Sequence, residues 1–267
     1  MSIRISHVTK SYGEQVAVRD LSLDVPAGNV VAFLGPNGAG KTTTLKMTTG
    51  LLLPDSGRIE VCGFLMGADG QQAKAQLAYV PDQPFLYEKL AGREFLEFVG
   101  DMYCMARATA RRRSDELIER LDMAGYIDQL AEAYSHGMKQ RVVLAAAMLH
   151  DPMVLIVDEP MVGLDPRTVR LVKDLLRAKA AAGQTIFMST HLLSIAQEIA
   201  DRVGIVDEGR LRFLGTIDEL REQVAAHDAS LEHLYLRFTA GANGQPPAGK
   251  PEIGDSPATA SNEDAAS

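Results

Sequence analysis

The sequence predicts an α/β fold with a largely parallel core sheet, and two features lead there. Three apolar runs, Val30 to Leu34, Val154 to Val157 and Thr185 to Met188, lack polar alternation, as strands covered on both faces do. Between them lie stretches of helical period, and buried strands alternating with helices define this class. The N-terminal part reads differently. Ile3 and Ile5, then Leu21, Leu23 and Val25, alternate with polar residues, the period of half-buried strands in an antiparallel β part.

Helical periods are marked by Phe95, Phe98, Met102 and Met105, by Leu117 and Leu121, and by Leu171, Val172, Leu175 and Leu176. Residues 83–150 carry such periods without a convincing strand, so they read as a helical insertion between core segments 1–82 and 151–215. Thr216-Ile217-Asp218-Glu219 has capping-box spacing and should open a C-terminal helix over 216–238. From Ala240 the chain is Gly, Pro, Ala and Ser with one large aliphatic residue, Ile253, and no aromatic. Such a segment buries too little apolar surface to offset its ordering entropy, so 240–267 reads as a disordered tail behind a folded domain 1–239.

Composition narrows the function. With 46% hydrophobic and 23% charged residues, the 267-residue chain is ordinary for a globular protein, and its net charge of −8 disfavours a general polyanion surface. No nucleic-acid partner is expected. Arg107, Arg111, Arg112 and Arg113 precede Asp115, Glu116 and Glu119, which reads as a solvated helix face with i,i+4 pairing. Cys62 and Cys104 have neither disulfide-scaffold nor metal-ligand spacing, which fits a reducing compartment. The longest apolar run, Val142 to Leu149, is eight residues, far short of the roughly 20 that a membrane span needs. The N-terminus lacks an apolar signal region, so a cytoplasmic location is expected.

Chemistry enters after the first buried run. Gly35-Pro36-Asn37-Gly38-Ala39-Gly40-Lys41-Thr42, followed by a helical stretch from Thr43 to Gly50, is a P-loop in its strand–loop–helix setting. The glycines let backbone N–H groups turn toward phosphate oxygens, and the helix N-terminus adds positive partial charge. Lys41 can reach the β- and γ-phosphates, and the Thr42 hydroxyl can ligate Mg²⁺. Asp158 and Glu159 end the second buried run, where ligands of open α/β sheets bind. Alone they would read as a solvated turn. Behind a P-loop, Asp158 suits Mg²⁺ and Glu159 suits the attacking water. His191 follows the third run, and its proposed γ-phosphate contact depends on the other motifs.

Ser135-His136-Gly137-Met138-Lys139-Gln140-Arg141 opens the apolar stretch Val142 to Leu149. With the P-loop, Asp158-Glu159, Gly163 to Pro166 and Ser189-Thr190-His191, it stands in the order and spacing of an ABC-transporter nucleotide-binding subunit. The sequence resembles that family over residues 1 to about 215. Its phrasing YVPDQPFLYEKLAGREFL and YSHGMKQR looks most like the bacterial exporter-type branch. The resemblance implies a P-loop NTPase core and a Mg²⁺-dependent ATPase driving a separate integral-membrane permease from the cytoplasmic face. Tyr12 would stack on adenine, and Gly35 to Thr43 would wrap the phosphates. Glu159 would be the catalytic base, with Lys41 and His191 beside it, while Thr42 and Asp158 would hold the metal. Ser135, Gly137 and Asp165 would serve the ATP of a second subunit, expected to be another copy of this chain.

Three positions depart from the family pattern. His136 and Met138 replace the usual glycine and glutamine of the signature, and Asp82 stands where a loop glutamine is usual, with Gln83 adjacent. A soluble ABC ATPase acting on a non-transport target is the alternative. A small-molecule kinase would leave the signature and His191 without purpose.

Overall fold

The computed structural model describes residues 1–225 and 229–241. The chain begins β1 (Ile3–Tyr12), β2 (Gln15–Val25), β3 (Val30–Leu34), α1 (Lys41–Thr48), β4 (Ser56–Val61), β5 (Phe64–Leu65), α2 (Gly70–Ala75) and β6 (Leu77–Val80). A helical stretch follows: α3 (Gly92–Met102), α4 (Arg107–Arg120) and α5 (His136–Met148). The chain then alternates through β7 (Val154–Asp158), α6 (Pro166–Ala181), β8 (Thr185–Thr190), α7 (Leu193–Ile199), β9 (Arg202–Asp207) and β10 (Arg210–Gly215). It closes with α8 (Ile217–Val224) and α9 (Leu231–Gly241).

Two sheets result, of the kinds the sequence predicts. The antiparallel one has strand order β2-β1-β4-β5, and the larger has order β10-β9-β3-β8-β7-β6. In the larger sheet β9, β3, β8, β7 and β6 run parallel, and only β10 turns back as a hairpin on β9. Every residue of β3, β7 and β8 is buried, which is why their sequences show no alternation. One face of this sheet, through Leu34, Val80, Val157 and Met188, packs with Val142, Leu149, Val172 and Leu176 of the flanking helices. The other face, through Val31, Phe33, Ile156 and Phe187, packs with Leu45 and Met47 of α1 and with the antiparallel sheet.

Several expectations need correction. Helix α1 begins at Lys41 rather than Thr43, placing that lysine in the first turn. The apolar period begun at Phe95 does not all face the core: Phe95 and Met105 pack against it, but Phe98 and Met102 are 40% and 68% exposed. In place of a single C-terminal helix there are two. The capping box opens α8, with Thr216 Oγ1 accepting from Glu219 N at 3.1 Å and Thr216 N donating to Glu219 Oε2 at 2.8 Å. Ala225, at φ 51, then ends it. Helix α9 runs through Gly241, two residues into the segment read as tail; residues 242–267 lie outside the described ones. On α4, Arg112 pairs with Glu116 at 2.7 Å as its spacing suggests, whereas Asp115 turns to Arg93 of α3 at 3.0 Å.

Phe187 and Phe33 pack with ring centroids 5.5 Å apart beneath the helix that follows the P-loop. Phe187→Ala is expected to cost about 3–5 kcal/mol of folding free energy. Urea unfolding of the two proteins measures the difference.

Candidate functional site

Strands β3, β8 and β7 are neighbours and parallel, so their carboxyl ends open side by side. Residues 35–40 leave β3 and turn tightly into α1, and glycine is required at both ends of the turn. A Cβ on Gly35 would lie 2.4 Å from the Val206 carbonyl oxygen, and one on Gly40 would lie 2.5 Å from that of Ala17. Gly40 also sits at φ 98, where side chains are strained. Inside the turn Lys41 Nζ donates to the carbonyls of Gly35 at 2.7 Å and Pro36 at 3.1 Å. Burial pushes its pKa down, against the opposing pull of the Glu159 and Asp158 carboxylates. An ammonium held only by neutral carbonyls is poised to exchange them for phosphate oxygens.

Before this loop lies a cleft of about 380 Å³. Tyr12, Gln15, Ala17, Asn37, Gly38, Gly40, Lys41, Thr42, Thr43, Asp82 and Glu159 line it. Gly35, Pro36 and Ala39 form the loop behind that wall. Tyr12 stands at the rim with half its surface exposed. Asp82 reaches the cleft and Gln83 does not line it.

Asp158 ends β7 and is fully buried. Its Oδ1 accepts from the Ser189 hydroxyl, and its Oδ2 has no hydrogen-bond partner among the described residues. Burial raises its pKa, with the Ser189 and Thr42 hydroxyls pulling the other way. An orphaned carboxylate oxygen beside a threonine hydroxyl is a fit place for a divalent cation. No group of three acidic, His or Cys side chains able to ligate a metal occurs among the described residues. One carboxylate and one hydroxyl suit Mg²⁺, which keeps waters and completes its shell with substrate phosphates.

Glu159 takes a left-handed backbone, φ 49. Its N–H is held by the Ser189 carbonyl at 3.2 Å and the Ser189 hydroxyl at 3.1 Å. Its Oε1 lies 3.0 Å from His191 Nδ1, and its Oε2 accepts from the His191 N–H at 3.4 Å. The half-exposed imidazole therefore fixes the carboxylate at the mouth of the cleft. Ser189, which touches both acidic residues, enters the sequence analysis only as a member of the motif ending in His191, with no role of its own. Its signal was a hydroxyl at the end of an otherwise apolar buried run.

Ser135, Gly137 and Asp165 do not line this cleft. Ser135 caps α5, its Oγ accepting from Met138 N at 3.3 Å. Asp165 caps α6, accepting from the Thr168 hydroxyl at 2.6 Å and from the Arg167 and Thr168 N–H groups at 3.0 Å. Those bonds, the Thr168 hydroxyl first, hold its carboxyl below the usual range. The two caps belong to adjoining segments, for a Cβ on Gly163 would lie 3.2 Å from the His136 ring.

The ABC transporter family pattern matches residues 18–162 of the chain. This chain belongs to the ABC transporter ATP-binding family. The daunorubicin resistance ATP-binding protein DrrA3 of Streptomyces coeruleorubidus is 39% identical over 222 residues, covering 83% of this chain and 70% of that one. The Nod factor export ATP-binding protein I of Ralstonia nicotianae is 35% identical over 218 residues, covering 82% and 68%. A solved structure of an ATP-binding subunit of an ABC transporter superposes with a TM-score of 0.85 at 33% identity, covering 90% of this chain and all of that one. The chain is an ATPase of the kind that powers transport.

Lys41→Ala removes charge where charge-assisted contacts to phosphate would form, and should raise the hydrolytic barrier by about 2–4 kcal/mol. Among the described residues its side chain bonds its own loop alone, so thermal unfolding should change little. Phosphate release beside differential scanning fluorimetry checks both, and more than about a tenth of wild-type activity would contradict the role.

Proposed function

We propose that this chain hydrolyses ATP to power export through a separate membrane-spanning partner, seated on the cytoplasmic face of the membrane. The observation that carries the reading is one cleft lined by Lys41, Thr42 and Glu159, with Asp158 buried beside Lys41 and Thr42 and His191 holding Glu159. Residues 35–43 wrap the phosphates, and Tyr12 stacks on adenine at the rim. Thr42 and Asp158 would hold Mg²⁺, which would neutralise charge on the phosphates. Glu159 accepts the proton of the attacking water, whose oxygen bonds to the γ-phosphorus as the bond to ADP breaks. His191 keeps Glu159 oriented and meets the γ-phosphate.

A second copy completes the site. Ser135 and Gly137 lie at the start of α5, outside the chain's own cleft, and its exposed N-terminal turn offers N–H groups to a phosphate across an interface. Asp165 stands at the same seam. Asp82 links the cleft to the helical insertion and so senses nucleotide for whatever docks there.

Among the described residues no helix is long and apolar enough to cross a membrane. One feature supports a membrane partner. Close to Asp82, the exposed rings of Phe85, Tyr87 and Phe98 form an aromatic patch, with Tyr87 5.6 Å from Phe85 and 5.8 Å from Phe98. Export follows the relatives named for drug resistance and Nod factor export.

Glu159→Gln should arrest hydrolysis and trap an ATP-bound dimer, because glutamine leaves the phosphate contacts in place. Size-exclusion chromatography with light scattering in ATP–Mg²⁺, ADP and no nucleotide tests it; a monomer in saturating ATP–Mg²⁺ would exclude the homodimer. Replacing Phe85 and Phe98 together by Asp should leave basal hydrolysis intact and abolish recovery of the chain with detergent-solubilised membrane protein. Undiminished recovery would move the docking surface elsewhere.

A further inference from the structure

Tyr79 has no role in the site as described, yet its hydroxyl is buried with no hydrogen-bond partner among the described residues. It lies on β6, directly beside Ile156 of β7 in the parallel register. Side chains alternate along a strand, so Asp158, two residues beyond Ile156, shares the sheet face of Tyr79. That face is covered by α1, the helix that carries Thr42 in its first turn. Tyr79, Thr42 and Asp158 thus converge from three elements on one buried point. Two atoms there lack partners: Tyr79 Oη and Asp158 Oδ2.

A tyrosine phenol is neutral near pH 7 and keeps its proton to donate. A purely packing role would be served better by phenylalanine, since a buried hydroxyl without a partner opposes folding. The unpaired hydroxyl and the unpaired carboxylate oxygen become intelligible together if both are satisfied once the nucleotide's cation is present.

We propose that Tyr79 is a positioning residue that orients Asp158 Oδ2 for the divalent cation arriving with ATP. This rests on the reading of Asp158 as the cation-holding carboxylate and adds to it a supporting residue from the neighbouring strand. With the cation bound the phenol would donate toward Oδ2, while the Ser189 hydroxyl already holds Oδ1, so the carboxylate would be pinned at both oxygens. Partners of this outer kind commonly set metal affinity without touching the metal.

The test is a titration of the full chain with mant-ATP, with and without Mg²⁺, on wild type, Tyr79→Phe and Asp158→Asn. Tyr79→Phe keeps the ring and removes only an unpaired buried hydroxyl, so its unliganded melting temperature should equal or exceed that of wild type. Its affinity without Mg²⁺ should be unchanged, while the gain in affinity that Mg²⁺ confers should fall about tenfold. A merely structural tyrosine would not move that ratio. If Tyr79→Phe keeps the gain to within about twofold while Asp158→Asn loses it, the role of Tyr79 is overturned and that of Asp158 stands. If Asp158→Asn also keeps the gain, the cation is not held at Asp158 and both readings fail.

Discussion

Everything in this molecule is arranged around one constraint: the loop after β3 must close around an anion using its own backbone. That requires glycine where Gly35 and Gly40 pass within van der Waals contact of the Val206 and Ala17 carbonyls. It also requires a cation at the centre, and Lys41 supplies it. In this structure the ammonium rests on two carbonyls of the same loop, a poor substitute for phosphate. The loop is thus already shaped, and on the proposed reading nucleotide binding would exchange one set of oxygens for a more strongly charged one. Little reorganisation is left for the moment of reaction.

Sheet order converts that loop into a reaction site. Adjacent strands lie about 4.8 Å apart, so the ends of β3, β8 and β7 span roughly 10 Å. Across that distance stand Lys41, His191 and the Asp158-Glu159 pair. Ser189, on the central strand, ties the row together by bonding Asp158 on one side and the Glu159 backbone on the other. Removing that hydroxyl would leave one more buried carboxylate oxygen without a donor. Ser135 and Asp165, the caps of α5 and α6, do not line the cleft in front of this row.

How much of this was readable follows from the physics of each residue. Strands β3, β7 and β8 were legible because both their faces are covered, which leaves an apolar run no surface strand would carry. The P-loop was legible because glycine and lysine spacing encodes a shape. Ser189 and Tyr79 were not, because each acts through a neighbour on another strand and leaves no local pattern. Phe98 and Met102 share the period of a core face, and period alone does not say whether the covering surface is the same chain. The break between α8 and α9 falls at Ala225 in a left-handed conformation, with neither Gly nor Pro to announce it. Whether Asp82 or Gln83 turns inward depends on the path of a loop.

On the proposed reading Lys41 leaves its own loop for the phosphates while Asp158 takes up the cation. A crystal structure of the full chain with Mg²⁺ and a non-hydrolysable ATP analogue measures this directly. The expected result is Lys41 Nζ about 2.8 Å from a β- or γ-phosphate oxygen, with Asp158 turned toward the cation. A nucleotide bound elsewhere, or Lys41 still seated on the carbonyls of Gly35 and Pro36 beside a bound triphosphate, would contradict it.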